Sequence, residues 1–245
     1  MSWMFPRRSG IRAPETREWI LGALYLPVFL FFLNFAILTY FPALGFPLTE
    51  PRNYFFANLL YMTVNFAVML LIFRRTLWQS LREFEGKMLL SVLIGFGMCY
   101  GANLVLTTAY TVLDIMPENY NQEAVNSLLG GYPLAMTLCT VVLAPLAEEC
   151  LFRGVLFAPL ARKCLPAAYA LSMFLFAGMH VFQFLGSMTA ANTILCLSLY
   201  LPASFTLCWV YQKTGNIWAS IFLHMFINFQ SVLASLLRSL MQALL

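Results

Sequence analysis

Charge is the scarcest resource in this chain. Lys, Arg, Asp and Glu together make up 10% of its 245 residues, against roughly a quarter in a soluble domain. Hydrophobic residues reach 61% and fall in long uninterrupted runs, so lipid rather than water is the solvent for most of the chain. A soluble globular domain is excluded. The formal charge of +4 is not gathered into one patch, so no nucleic-acid partner is expected. None of the six cysteines forms a CxxC pair, and most sit in apolar runs, where they read as small buried hydrophobes rather than disulfide or metal partners. The HExxH element of the commonest zinc peptidases is missing, and no serine or cysteine stands in a recognisable nucleophile motif. Low-complexity linkers are absent, and so are internal repeats of the kind that build many transporters.

Apolar runs are what the chain has instead. They cover residues 20–41, 54–73, 89–112, a stretch from Tyr132 towards Arg162, then 166–184, 192–211, and a last one from Ile217. Each is long enough to cross a bilayer as a helix. The expected fold is all-α: a polytopic transmembrane bundle of about seven to eight helices. The eighth would be a lying or re-entrant segment around residues 117–129. Pro145 and Pro159 are expected to kink or end the fourth run.

Basic residues mark alternate connections. Arg7, Arg8, Arg12 and Arg17 precede the first run, and Arg74, Arg75, Arg82 and Lys87 separate the second from the third. Arg162 and Lys163 follow the fourth, and Lys213 follows the sixth. Asp114, Glu118 and Glu123 occupy the connection after the third. The positive-inside bias then gives a multi-pass protein of a cell (inner) membrane with a cytoplasmic N-terminus. No secretory signal is expected, because a polar leader of 19 residues precedes an apolar run longer than a signal core. Three stretches are expected: a cytoplasmic segment (1–19), scaffold helices one to three with their loop (20–131), and a core that carries the chemistry (132–245).

Ionisable groups inside a membrane are costly and therefore informative. The scaffold runs carry Asn34, Asn65 and Asn103 but no ionisable group in mid-membrane. The later runs carry Glu148 and Glu149 with Arg153 one turn on, and the only two histidines, His180 and His224. Glu149 and Arg153 are four apart with the acid first, the favourable order for an ion pair on one helix face. Glu148 points about 100° away, free to face something else. His224 and Asn228 share a face, as do Phe176 and His180.

Taken singly, a Glu/Arg pair or a lone histidine in a membrane helix is more often structural, and His224 with Asn228 also reads as glue between helices. Together they put a carboxylate, two imidazoles and a carboxamide on three helices with almost no competing polar side chains. Such a set supports hydrolysis. A carboxylate beside an imidazole can hold a water and take its proton during attack on a carbonyl, and burial makes Glu148 the better base if water reaches it. A second imidazole and an amide suit the oxyanion of the tetrahedral intermediate.

At these positions the chain resembles the CAAX prenyl endopeptidase and bacteriocin-processing (abortive-infection) family of intramembrane proteases. The resemblance rests on three elements in order: Glu148-Glu149-Cys150-Leu151-Phe152-Arg153, Phe176-Ala177-Gly178-Met179-His180, and His224-Met225-Phe226-Ile227-Asn228, the last preceded by Gly215-Asn216-Ile217-Trp218. It covers roughly residues 133–231. It implies catalytic roles for Glu148 and His180 in activating water and for His224 and Asn228 in holding the oxyanion. Glu149 and Arg153 become an orienting pair, with Phe176 in support. It further implies a peptide or protein substrate, lipidated or not, handled at the membrane lipid, and no cofactor. A zinc peptidase of the same fold, with Glu148, His180 and His224 as ligands, is the nearest alternative. A proton-coupled transporter and a non-catalytic immunity protein are the readings from other classes.

Overall fold

The computed structural model describes residues 11–244, and all its regular elements are helices. Arg7 and Arg8, with the rest of residues 1–10, lie outside the described residues. The helices are α1 (Thr16–Ala43), α2 (Pro51–Ile72), α3 (Arg74–Arg82), α4 (Lys87–Val112), α5 (Tyr120–Gly131), α6 (Pro133–Ala161), α7 (Leu165–Ser187), α8 (Ala190–Thr214) and α9 (Ile217–Leu244). Seven of them, all but α3 and α5, are long and apolar enough to cross a membrane. The chain is an integral multi-pass membrane protein with the all-helical architecture expected from its runs. Several helices overshoot their apolar runs by a few residues, as α1 does by starting at Thr16.

The lying or re-entrant segment expected around residues 117–129 forms a short helix, α5. Its 12 residues span about 18 Å at 1.5 Å per residue, well short of a bilayer core of about 30 Å. Asn119 caps it: its Oδ1 accepts the Gln122 N–H at 3.1 Å.

The prolines of α6 act differently from expectation. The helix neither ends at Pro145 nor at Pro159. Each proline follows a π-helical stretch, Cys139–Leu143 before Pro145 and Cys150–Phe157 before Pro159. A proline leaves the carbonyl four residues back without its donor and crowds it. Widening the preceding turn to π winding accommodates that without a break. One such carbonyl, that of Val155, is taken instead by the Trp19 indole N–H of α1 at 3.0 Å.

The two ends of the bundle differ in charge. At one end Arg12 pairs with Glu83, and Arg75 Nη1 lies 3.1 Å from Glu15. Arg162 Nη2 donates to the Ile11 carbonyl at 3.1 Å, and the Tyr211 hydroxyl donates to the Arg12 carbonyl. Buried Glu18 accepts the Arg75 N–H at 2.9 Å, tying α1 to the start of α3. The α8–α9 turn closes at the same end. Gly215 takes the left-handed conformation (φ 65°) that a Cβ would disfavour, and Asn216 reaches the Ser80 carbonyl at 2.6 Å. The opposite end gathers Asp114, Glu118 and Glu123, with Arg52 and Arg238 as basic exceptions.

The tightest packing surrounds the second half of α6, where Phe152, Phe157, Leu207, Tyr211, Ile217 and Ile221 are almost wholly buried. α4 reaches this core through Gly95. A Cβ there would lie 2.6 Å from Val210 and 2.9 Å from Leu223, so Gly95→Ala is expected to cost about 1–3 kcal/mol through overpacking. Gly97→Ala on the same helix meets nothing within 4 Å and should hold or raise stability, since alanine is the better helix former by about 1 kcal/mol. Thermal unfolding of both variants in detergent checks the pair.

Candidate active site

α6 brings Glu148, Glu149 and Arg153 to the centre of the bundle. Glu149 and Arg153 have no exposed side-chain surface, and Arg153 Nη1 lies 3.1 Å from Glu149 Oε1. The guanidinium is held on two further sides. Its Nη2 donates to the Ser204 carbonyl at 3.2 Å, and its carbon sits 4.8 Å from the centre of the Phe176 ring, within cation–π range. Glu149 is equally occupied: the Ser220 hydroxyl donates to Oε2, and His224 Nδ1 lies 2.9 Å from Oε1. A carboxylate so paired is a structural anchor.

Glu148 has the opposite surroundings. Its side chain is 12% exposed, and Oε2, itself buried, takes no hydrogen bond from any described residue. His224 Nε2 stands 3.8 Å away, too far for a direct hydrogen bond. Because the Glu149 carboxylate can only accept, His224 Nδ1 carries the hydrogen between them, and Nε2 is the nitrogen turned to Glu148. One imidazole therefore faces both glutamates.

His180 sits in the last α-helical turns of α7, before the 3₁₀ stretch Phe182–Ser187. Its Nδ1 lies 2.9 Å from the Phe176 carbonyl, so Nδ1 carries hydrogen and Nε2 is the acceptor of the neutral ring. The Phe176 ring lies between the two imidazoles, 5.0 Å from His180 and 5.5 Å from His224. No hydrogen bond joins His180 to Glu148 or to His224. Asn228 lies one turn beyond His224 on the same face of α9, and its Nδ2 donates to the Thr140 carbonyl at 2.8 Å. The structure thus links Glu148, Glu149, Arg153 and His224 tightly. His180 joins them through Phe176, and Asn228 through the shared α6–α9 contact.

Sequence reasoning missed Ser220, Tyr61 and Tyr200. Ser220 carried a signal, since it precedes His224 by the same four residues that separate His224 from Asn228. The tyrosines did not, because a tyrosine in an apolar helix has no distinctive spacing. Tyr61 of α2 donates its hydroxyl to the Phe29 carbonyl at 2.9 Å. Tyr200 of α8 stacks on His180, with ring centres 4.6 Å apart.

Among the described residues no three His, Cys, Asp or Glu side chains are grouped to hold a metal ion. Both histidines have Nδ1 engaged and present Nε2, the form in which an imidazole serves either a water or a metal.

Comparison with known proteins points the same way as the geometry. Residues 130–230 match the family model described as Rce1-like, type II CAAX prenyl endopeptidase Rce1-like. The chain is similar to "Putative membrane peptidase YdiL" of Bacillus subtilis (strain 168), 28% identical over 166 residues, which cover 66% of this chain and 64% of that protein. It is also similar to "UPF0177 protein YxdF" of Lactococcus lactis subsp. lactis (strain IL1403), 28% identical over 127 residues, 51% of this chain and 65% of that one. The alignments thus cover just under two thirds of either relative. No solved structure matches the chain. The matched segment holds Glu148, Glu149, Arg153, His180, His224 and Asn228, and over it the chain is similar to the type II CAAX prenyl endopeptidase family.

Proposed function

We propose that the chain is an intramembrane endopeptidase in which residues 132–245 carry the chemistry and Glu148 activates the attacking water. The contrast between the two glutamates carries this reading: Glu149 is saturated by Arg153, Ser220 and His224, while Glu148 Oε2 is buried, unpartnered and 3.8 Å from an imidazole nitrogen. The water we propose bridges Glu148 Oε2 and His224 Nε2 from beside the 3.8 Å line that joins them, about 2.8 Å from each atom.

Charge accounting assigns the roles. Glu149 and Arg153 cancel, and burying a net charge is costly, so Glu148 and His224 share one proton. In the carboxylate–imidazolium form Glu148 can take a proton from water while His224 Nε2–H is a donor. The hydroxide oxygen bonds to the substrate carbonyl carbon, and charge moves onto the carbonyl oxygen. His224 Nε2–H and the second Nδ2 hydrogen of Asn228 are the donors proposed for that oxyanion. Glu148 then passes its proton to the leaving amide nitrogen as the C–N bond breaks, so water has added across the peptide bond. His180 Nε2, an acceptor by its tautomer, shares the handling of the water. By the donor role, Asn228→Ala should lower kcat about a hundredfold, the ~3 kcal/mol typical of one oxyanion donor, with little change in KM.

The family match and the name of the Bacillus subtilis relative support a peptidase. The substrate on this reading is a peptide or protein reaching the membrane, prenylated CAAX proteins being the class named by the family. The basic end is proposed as cytoplasmic on the positive-inside bias. The test compares peptide termini in cells carrying the wild type or Glu148→Gln: termini that vanish with the variant support the reading, and an unchanged set overturns it. Stoichiometric zinc in the purified protein, with activity lost on chelation and restored by zinc, would replace it with a zinc peptidase.

A further inference from the structure

We propose that Tyr200 is a positioning residue that clamps His180 and ties it to α5; the catalytic part of this proposal rests on the peptidase reading above. The bond from His180 Nδ1 to the Phe176 carbonyl fixes one edge of the imidazole but leaves the ring free to rock about that edge. Two aromatic rings pack against it. Phe176 is tilted at 47° with centres 5.0 Å apart, whereas Tyr200 lies nearly parallel, at 22° and 4.6 Å. Tyr200 therefore supplies the flat support that sets where Nε2 points.

The far end of Tyr200 is anchored in turn. Its hydroxyl donates to Asn119 Oδ1 at 3.0 Å and accepts from Asn121 Nδ2 at 3.2 Å. Asn119 is the N-cap of α5. That helix touches the other helices of the site as well: Ser231 of α9, in the turn after Asn228, donates to Gln122 Oε1 at 3.2 Å, and Tyr120 stacks on Phe184 of α7 at 6.0 Å. α5 thus bridges the helices that carry His180, Tyr200 and Asn228, at the end away from the basic residues. A phenol ring is rigid along its axis, so a shift of α5 reaches His180 through it.

The test uses the full chain in detergent micelles with Tyr200→Leu and Tyr200→Phe. Two histidines give two imidazole signals under histidine-selective labelling, assigned with His180→Gln. Tyr200→Leu should remove the ring-current shift of the His180 signal and lower kcat on a quenched fluorescent prenylated CAAX peptide at least tenfold, with KM within about threefold. Tyr200→Phe should keep the shift and kcat within about threefold, yet speed amide exchange across residues 120–131 at least tenfold. An unmoved His180 signal in Tyr200→Leu, or unaltered exchange in Tyr200→Phe, overturns the clamp, and the Phe variant decides if the Leu variant does not fold. Should the wild type cleave nothing while the signal and the exchange respond as expected, the clamp stands as structure and the peptidase reading falls.

Discussion

Glu148→Gln is expected to lower kcat about a thousandfold or more while leaving the protein at least as stable as the wild type. The rate loss follows from removing the carboxylate of the site whose Oε2 takes no hydrogen bond from any described residue, since a positioned general base contributes about 10²–10⁴. The stability outcome separates this residue from a structural one. Glu148 Oε2 takes no hydrogen bond, so the amide forfeits no partner and removes a charge from an apolar interior. Steady-state kinetics on the termini found in cells, together with thermal unfolding, check both halves. A large loss of stability would mark Glu148 as an anchor and undo its assignment as base.

Arg153→Ala should do the reverse and destabilise the fold by about 3–5 kcal/mol, the usual penalty for stranding one member of a buried ion pair. Glu149 would keep only Ser220 and His224 as partners, and the Ser204 carbonyl and Phe176 ring would lose their cation. Replacing both partners, as in Glu149→Leu with Arg153→Met, should recover most of that loss, because apolar residues of similar volume often replace a buried pair without penalty. Activity should not return in the double variant. His224 would have lost the carboxylate that fixes its Nδ1 hydrogen and holds Nε2 towards Glu148. Denaturant unfolding measured beside kcat for the three proteins checks this divergence, and an active double variant would refute the role given to Glu149.

Much of this arrangement was legible from residue order alone. The spans follow from apolar length, and the short helix α5 follows from a polar stretch too short to cross. The Glu149–Arg153 pair follows from a four-residue spacing that survives even though the helix is wound as π beyond Cys150. The continuation of α6 through both prolines was not legible, because π winding has no sequence signal of its own. Nor was the inequality of the two glutamates. Their spacing says only that they point apart; which one is saturated depends on where Ser220 and His224 arrive from α9, a long-range fact. The parts of Tyr61 and Tyr200 depend likewise on helix–helix docking.

Because Cys150–Phe157 is wound as a π-helix, α6 carries spare chain in its last turns, between Arg153 and Phe157. Losing one residue there would let the coil tighten towards ordinary α winding, so the helix could shorten its count and still deliver Arg162 to the Ile11 carbonyl. The same loss in the α-helical part of α7 ahead of His180 would swing that imidazole by about 100° and out of register with Tyr200. Length changes in this molecule should therefore be forgiven on one side of the site and fatal on the other.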